Sequence, residues 1–330
     1  MNTSPYLPPE LWGHILSLVD TPNSARLVCR QWSKLVLSKK HYHDGYFANL
    51  TIFKWYVWER RPIYRTSLYE FKLGQELDAK LMNKCARLGK LKLVKWLRER
   101  NCPYPCSEVT CGNAAINGHL KVLQWLRANG CPWDERTCAF AARGGHFKIL
   151  QWARANGCPW DEDTCSDAAK GGHFEILQWA RDNGCPWNAK TCSDAAEGDH
   201  FEILQWARAN GCPWNVLTCA NAAANGNSEM LQWARANGCP WNDRTCARAA
   251  FGGHLHILQW ARANDCSWNE GICARAAEGG HLEILKWARA NGCPWDEWTC
   301  ITAMMHGHHR TLEWVHKNGC PCKHNTSNTT

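Results

Sequence analysis

Hydrophobic and polar residues follow a 27-residue period through most of this 330-residue chain. One tryptophan keeps this spacing without a gap from Trp125 to Trp314. A fixed period of this length is typical of a solenoid, in which each repeat is one supersecondary unit that buries its apolar face against its neighbours. We therefore expect one array of stacked repeats, where the chain length alone would suggest two domains.

Each repeat predicts two helices. In the copy that starts at Asp161, this residue can cap a first helix whose inner positions between 165 and 169 carry small side chains. Gly171-Gly172 ends that helix, and the apolar residues in 174–179 predict a second helix that lies between neighbours. Asn183-Gly184 ends the second helix, and the Cys-Pro-Trp that follows predicts a turn and a wedge between helix pairs. No segment alternates like a strand, so the predicted fold class is all-α.

The 21 cysteines fall mostly at two positions of the repeat. One series runs every 27 residues from Cys131 to Cys320, and the other runs from Cys111 to Cys300. We interpret periodic cysteine as a small buried apolar side chain. The first residues lack the basic and apolar regions of a secretory signal, so we expect the thiols to stay reduced.

An arginine recurs near the end of each predicted second helix. This column consists of Arg98, Arg127, Arg154, Arg181, Arg208, Arg235, Arg262 and Arg289. It could bind a polyanion such as nucleic acid, and the net charge of +8 permits an acidic partner. Alternatively, each arginine favours the helix dipole and bonds free carbonyls at its helix end, or pairs with neighbours such as Asp161, Glu162 and Asp296. We favour the structural role and expect no nucleic-acid partner.

Metal binding and catalysis are the other chemical candidates. Histidines and cysteines cluster near the C-terminus, at His306, His308, His309, Cys320, Cys322 and His324. They could form a metal site, or they could belong to a frayed last repeat that is followed by a disordered polar tail. Within one repeat, six residues separate Cys131 from Cys138, unlike the short spacing of zinc modules. We find no phosphate-binding loop, nucleophile elbow or metalloprotease helix, and we predict no enzyme activity, no cofactor and no metal.

The first 40 residues predict two short amphipathic helices after a proline-rich start. Leu11, Ile15 and Leu18 have the spacing of an apolar helix face, and a second such face follows within 27–36. Helices this short bury too little surface to fold alone, so they must dock on the array or on a partner. One interpretation is a helical cap. The aromatic and basic segment 41–81 is interpreted as a linker with a degenerate capping repeat, since terminal repeats are atypical.

Three segments in this region resemble the F-box motif, namely Leu7-Pro8-Pro9-Glu10-Leu11, Ile15–Asp20 and Leu27–Trp32. The middle of the motif, 21–26, is shorter than usual. The resemblance implies that an apolar helical face packs against the Skp-type adaptor of an SCF-type cullin–RING ubiquitin ligase. It assigns adaptor binding to Leu7, Pro8, Leu11, Ile15, Leu16, Leu18, Leu27, Val28 and Trp32.

The repeats resemble ankyrin repeats. Thr164-Cys165 and Ala168-Ala169 stand where that family has Thr-Pro-Leu-His and Ala-Ala, and Gly172–Leu177 matches its Gly-His-Leu-Glu-Val-Val. The unit is shorter than the usual ankyrin period, mainly where the projecting finger would be. The resemblance implies a finger-poor α-solenoid. Cys-Pro-Trp repeats joined to an F-box also resemble families encoded by giant DNA viruses of amoebae.

Residues that differ between the copies are free of the stacking role, and they fall on the first helix or its turns. In an ankyrin-like stack this is the concave side, the usual binding surface. Neutral variation on a solvated face is the alternative, but aromatic and arginine residues favour binding. The predicted target-binding residues are Arg136, Phe140, Arg143, Asp163, Asp167, Lys170, Lys190, Asp194, Glu197, Leu217, Asn221, Arg244, Arg248, Phe251, Arg275, Glu278 and Trp298.

The predicted order of domains is an F-box-like motif at 1–40, the linker and capping repeat at 41–81, nine repeats at 82–322 and the tail at 323–330. This order predicts a substrate-recruiting adaptor. The F-box-like residues would bind the Skp-type adaptor and its cullin, and the repeats would bind an unknown target protein. We expect a cytoplasmic or nuclear protein, in the host cell if it is viral, that is neither secreted nor in a membrane. The alternative is a protein-binding scaffold with no ubiquitin-ligase role.

Overall fold

A computed structural model describes residues 82–99 and 106–322. All regular structure in these residues is α-helical, which confirms the predicted all-α class. Residues 82–87 are helical, and the helices that follow are α1 (Leu91–Glu99), α2 (Glu108–Ile116), α3 (Leu120–Ala128), α4 (Glu135–Arg143), α5 (Phe147–Ala155), α6 (Glu162–Lys170), α7 (Phe174–Asp182), α8 (Ala189–Glu197), α9 (Phe201–Ala209), α10 (Val216–Ala224), α11 (Ser228–Ala236), α12 (Asp243–Gly252), α13 (Leu255–Ala263), α14 (Gly271–Glu278), α15 (Leu282–Ala290), α16 (Glu297–Met305) and α17 (His309–Lys317).

From α2 onward, even-numbered helices are the first helices of the repeats and odd-numbered helices are the second. The chain divides between Trp133 and Asp134 into two units. The residues predicted to form the F-box-like helices, the linker and the tail, at 1–40, 41–81 and 323–330, lie outside the described residues.

Small side chains let the first helices pack directly on one another in the second unit. Cys165, Ala168 and Ala169 on α6 are fully buried, and α6 contacts both α4 and α8. Larger side chains at these positions would force the close-packed helices apart. The second helix α7 packs on α6 and buries Ile176 and Leu177. This division confirms the predicted helix pair, with small inner residues on the first helix and large apolar residues on the second.

Several first helices begin with a side-chain cap. The carboxylate of Asp161 accepts a hydrogen bond from the Asp163 N–H at 3.1 Å, and the Asn188 side chain accepts one from the Lys190 N–H at 2.8 Å. These bonds satisfy N–H groups that have no partner within the helix. The capping role predicted for Asp161 is therefore confirmed.

A histidine joins each of several repeats to the one before it. The Nε2 atom of His254 lies 2.9 Å from the carbonyl oxygen of Ala224, at the end of the preceding first helix. The ring fills the space beside Gly226, where an added Cβ would lie 2.6 Å from the ring. Gly226 also has a φ of +78°, which glycine adopts readily. This histidine lies at the start of the second helix, as predicted, whereas its contact across repeats was not predicted.

The arginine column is structural. Arg208 Nη1 donates to the carbonyl oxygen of Cys212 at 2.5 Å, and its guanidinium carbon lies 4.1 Å from the ring centre of Trp214. The same carbonyl bond forms in every repeat from Arg127 to Arg289. Trp214 in turn meets Trp233 of the next repeat edge to face, at 5.8 Å between ring centres. The column makes no ion pair with other described residues, so the predicted pairing with acidic neighbours is not observed, whereas the predicted carbonyl bonding is.

The periodic cysteines are buried in the core, as predicted. A hydrogen bond with the Cys185 thiol raises the pKa of the Cys165 thiol, and burial raises it further. This cysteine is therefore held as an inert neutral group. We expected all the thiols to be reduced. One pair differs, because the sulfurs of Cys300 and Cys322 are bonded to each other. Cys322 stands where the preceding repeats carry tryptophan, so the regular packing of the repeat does not keep it apart from Cys300.

Candidate protein-binding surface

The variable residues form three columns on the first helices. Residues 27 apart lie side by side on neighbouring helices, because the first helices pack directly on one another. Lys190 Nζ lies 2.6 Å from Asp163 Oδ1, and Lys170 Nζ lies 2.5 Å from Glu197 Oε1. Each pair joins α8 to α6. The comparison of copies therefore identified side chains that lie together in space.

The predicted residues differ in exposure. Nine are exposed, namely Arg136, Arg143, Lys190, Glu197, Arg244, Arg248, Phe251, Arg275 and Trp298. Five are half-buried, namely Phe140, Asp163, Lys170, Leu217 and Glu278. Three are buried, namely Asp167, Asp194 and Asn221.

The three buried residues do not form an open contact surface. The Asn221 amide donates to the carbonyl oxygen of Ser193 at 2.8 Å and so joins α10 to α8. Asp167 and Asp194 occupy the same repeat position, and their side chains are only 11% and 9% exposed. A position that varies in sequence is therefore not always free of a stacking role, because several side chains can fill the same narrow space between first helices.

Burial also changes the protonation of the two aspartates. Burial raises the pKa of Asp194 from 3.8 to about 6, against the opposing effect of Lys190 and Lys170. Burial likewise raises the pKa of Asp167, and Arg143 and Lys190 oppose it. Transfer of a carboxylate away from water disfavours its charged form more than these cations favour it.

The variable positions on α4, α6 and α8 form an ion-paired section. Its contacts are Lys170–Glu197 and Lys190–Asp163, together with longer pairs of Arg143 with Asp167 at 3.7 Å and Lys190 with Asp194 at 3.9 Å. Charges that are already paired and partly solvated offer little to a partner. This section is therefore a poor candidate for the centre of a binding site.

The first helices α12, α14 and α16 carry a different set of side chains, which we name the apolar–basic patch. It consists of Arg244, Arg248, Phe251, Arg275 and Trp298. Phe251 is 45% exposed and Trp298 is 57% exposed, although both are large and apolar. Arg244 and Arg248 are exposed and form no ion pair within the described part of the chain, whereas Arg275 pairs with Glu278 at 2.5 Å.

Sequence reasoning missed one neighbour of this patch. Met305 is 71% exposed on α16, at the repeat position that Phe251 occupies on α12. Continuing the third variable column by one more period would have found it. The exposed aromatic, methionine and arginine side chains are the types that most often anchor protein partners.

The structure also separates the histidines and cysteines near the C-terminus. His308 Nε2 lies 2.9 Å from the carbonyl oxygen of Glu278, in the repeat-joining role described above, and His306 Nδ1 lies 3.0 Å from the Thr302 carbonyl oxygen. The sulfurs of Cys300, Cys320 and Cys322 lie within 4.8 Å of one another. These three residues are the group in the described ranges that could hold a metal ion.

Comparison with known families finds a match in two parts of the chain. The model of the F-box domain matches residues 5–44, and the model of ankyrin repeats (many copies) matches residues 111–154. No curated protein matches the chain. The chain therefore carries an F-box domain followed by ankyrin-like repeats, and both predicted resemblances are confirmed. The residues predicted to bind the Skp-type adaptor, from Leu7 to Trp32, lie within the F-box match but outside the residues that the structure describes.

An F-box domain suggests a Skp-type partner, and ankyrin repeats suggest a protein target. In the described part of the chain, no helix is both long enough and apolar enough to cross a membrane.

Proposed function

We propose that this protein recruits a target to an SCF-type cullin–RING ubiquitin ligase. The observation that carries the proposal is the presence, in one chain, of an F-box domain at 5–44 and an exposed apolar–basic patch on the repeats. The F-box supplies attachment to the Skp-type adaptor, which binds the cullin. The repeats supply a surface for a second protein. The chain itself is not an enzyme, since the ligase complex performs the ubiquitin transfer.

The chemistry of the apolar–basic patch defines the kind of target. Arg244 and Arg248 present guanidinium groups that can form two hydrogen bonds to a carboxylate. Phe251 lies on the same helix as these two arginines, and Trp298 presents a second large apolar surface on α16, beyond α14. The target is therefore a protein segment in which acidic residues flank a large apolar side chain. The ion-paired section discriminates poorly between targets, because its charges are already paired.

The proposed location follows from the proposed partners. Cullin–RING ligases act in the cytoplasm and nucleus, so the protein works there and is not secreted. If the gene is viral, the partners belong to the host cell, and the protein directs a host ligase to a new target.

The test is co-purification of the ligase from cells with the tagged full-length chain. Wild type is expected to recover the Skp-type adaptor and the cullin, and the double variant Pro8→Ala with Leu11→Ala is expected to lose both. Phe251→Ala with Trp298→Ala is the matched control, because these exposed residues lie on the repeats and their loss leaves the F-box unchanged.

The proposal fails if soluble wild-type protein recovers neither ligase subunit. If the chain then still captures other proteins through the repeats, it is a binding scaffold. Retention of both ligase subunits by the Pro8→Ala, Leu11→Ala variant would also contradict the roles assigned to these residues.

A further inference from the structure

The last repeat replaces one pair of residues that the preceding repeats share. From Arg127–Trp133 to Arg289–Trp295, each repeat places an arginine over a tryptophan, with 4.0–4.3 Å between the guanidinium carbon and the ring centre. One period after Arg289 and Trp295, the chain carries His316 and Cys322. Both members of the pair change together, to the two residue types that most often bind zinc in proteins.

The exchange adds a third sulfur to an existing pair. Cys300 and Cys320 correspond to the regular cysteine pair that Cys273 and Cys293 form one repeat earlier. Cys322 brings its sulfur to this pair, and the three Sγ atoms lie within 4.8 Å of one another. Three sulfurs on one tetrahedral zinc ion are about 3.8 Å apart, because each Zn–S bond is about 2.3 Å long.

A cavity of about 210 Å³ adjoins Cys300 and Cys322, and its lining also includes His316, Met304 and Glu297. His316 is not part of the group of three sulfurs that lie within 4.8 Å of one another. The space exceeds what a metal ion and an accompanying water need. The neighbouring histidines His306 and His308 already contact the carbonyl oxygens of Thr302 and Glu278, whereas His316 is one of the residues that line the cavity.

We propose that the reduced chain binds one zinc ion at Cys300, Cys320, Cys322 and His316. Three cysteines and one histidine are a common set of ligands in structural zinc sites. On binding, each thiol releases its proton to solvent and gives a sulfur lone pair to the metal, and the neutral imidazole gives a nitrogen lone pair. The ion fixes the Cys-Pro-Cys turn after α17 to α16.

The bond between Cys300 and Cys322 defines the alternative state of the same sulfurs. Its reduction requires two electrons and two protons and yields the two thiols. A phosphine reductant supplies the electrons, and water supplies the oxygen that the phosphine gains. Zinc and the disulfide exclude each other, so the site belongs to the reduced chain. The other cysteines in the described residues are free thiols.

The test uses the full-length chain, reduced with a phosphine, freed of metal and then given zinc chloride. Elemental analysis after removal of unbound ion is expected to find one zinc per chain. Cobalt(II) in place of zinc is expected to give the sulfur-to-cobalt charge-transfer band and the visible bands of a tetrahedral thiolate site.

The decisive variant is Cys322→Trp with His316→Arg, which restores the pair found in the preceding repeats and so preserves the fold. It is expected to keep the helical circular dichroism of wild type and to bind less than about one tenth of an equivalent of zinc. Cys266→Ala, in a regular cysteine pair, is the matched control and is expected to retain the full equivalent. His316→Gln alone is expected to weaken zinc binding and to shift the cobalt bands.

Three outcomes would overturn the proposal. The first is reduced wild-type protein without stoichiometric zinc. The second is full zinc binding by the variant with the restored pair. The third is a cobalt spectrum without a thiolate charge-transfer band, which would show that the ion binds elsewhere on the chain.

Discussion

The Nε2 atom of His254 lies 2.9 Å from the carbonyl oxygen of Ala224, 30 residues earlier in the chain. This bond joins the start of α13 to the end of α10, which is the first helix of the preceding repeat. It satisfies a carbonyl group that has no partner within its own helix. The ring can approach only because Gly226 carries no Cβ.

A comparison of Gly226→Ala with Gly238→Ala separates the effect of this contact on stability from the effect of backbone strain. Both glycines have a φ near +80°, but an added Cβ at Gly226 would meet the His254 ring at 2.6 Å, and one at Gly238 would meet nothing within 4 Å. We expect Gly238→Ala to lower the free energy of unfolding by about 1 kcal/mol. Gly226→Ala should lower it by about 1–3 kcal/mol more, because the ring must move. Urea unfolding of the full-length chain measures both.

A double variant checks the cause of the larger loss. His254→Ala removes the ring and costs its own hydrogen bond, about 1 kcal/mol. In that background, Gly226→Ala should cost no more than Gly238→Ala, since only the backbone strain remains. Equal costs of the two glycine substitutions in the wild-type background would contradict the close approach of the ring.

Asp194 predicts a specific dependence of stability on pH. Its pKa rises on folding from 3.8 to about 6, so between these values the folded chain holds the proton more tightly than the unfolded chain. The stabilisation from the neutral carboxyl is complete below the unfolded pKa and is lost as the pH rises through the folded pKa. The loss is roughly 2–3 kcal/mol, at 1.36 kcal/mol for each unit of pKa.

Asp194→Asn removes this titration. We expect the stability of the variant relative to wild type to increase as the pH rises from 4 to 7, because the amide stays neutral. Urea unfolding at a series of pH values measures the difference. The control is Asp182→Asn, at an exposed position at the end of α7. Parallel curves for Asp194→Asn and wild type would show that Asp194 does not titrate as the structure indicates.

Substitution of Arg208 tests the structural role of the arginine column. Its guanidinium bonds the Cys212 carbonyl and lies over Trp214. Arg208→Ala should lower the free energy of unfolding by about 2 kcal/mol, from the lost hydrogen bond and cation–π contact. Arg244→Ala, on the exposed patch, should change it by less than about 0.5 kcal/mol. Thermal and urea unfolding check the contrast, and equal effects would argue against a stacking role for Arg208.

Much of the fold could be predicted from the sequence, because the copies of the repeat can be compared with one another. Residues that recur at every period, such as Cys165 and Ala168, indicate how the first helices pack. Asp161 and Asn183-Gly184 indicate where helices begin and end, since caps have local signatures. The histidine contact could not be predicted in this way. It joins His254 to a backbone carbonyl, and a backbone acceptor leaves no signal in the sequence.

The candidate surface could be predicted only in part. Variation identified the first helices but could not separate Phe251 from Asn221, because exposure depends on the space left between neighbouring helices. Asn221 fills that space and bonds a backbone carbonyl, whereas Phe251 lies outside it. The paired exchange at His316 and Cys322 is visible in the sequence, but its meaning depends on the contact between Arg289 and Trp295 one repeat earlier.

The apolar–basic patch predicts the composition of its ligands. A display library of random 12-residue peptides, selected on the full-length chain, is expected to yield peptides with acidic residues beside a large apolar one. Phe251→Ala with Trp298→Ala should weaken the selected peptides at least about tenfold, because aromatic anchors dominate such contacts. Lys190→Ala, in the ion-paired section, should leave their affinity unchanged. Enrichment of basic peptides would contradict the assignment.

We propose that one chain binds the Skp-type adaptor and a target at separate sites. Native mass spectrometry of the full-length chain, mixed with purified adaptor and a selected peptide, tests it most directly. Wild type should form a complex of all three components in equal numbers. Pro8→Ala with Leu11→Ala should keep only the peptide, and Phe251→Ala with Trp298→Ala should keep only the adaptor. Wild-type protein that binds no adaptor, or a double variant that loses both partners while folded, would contradict the claim.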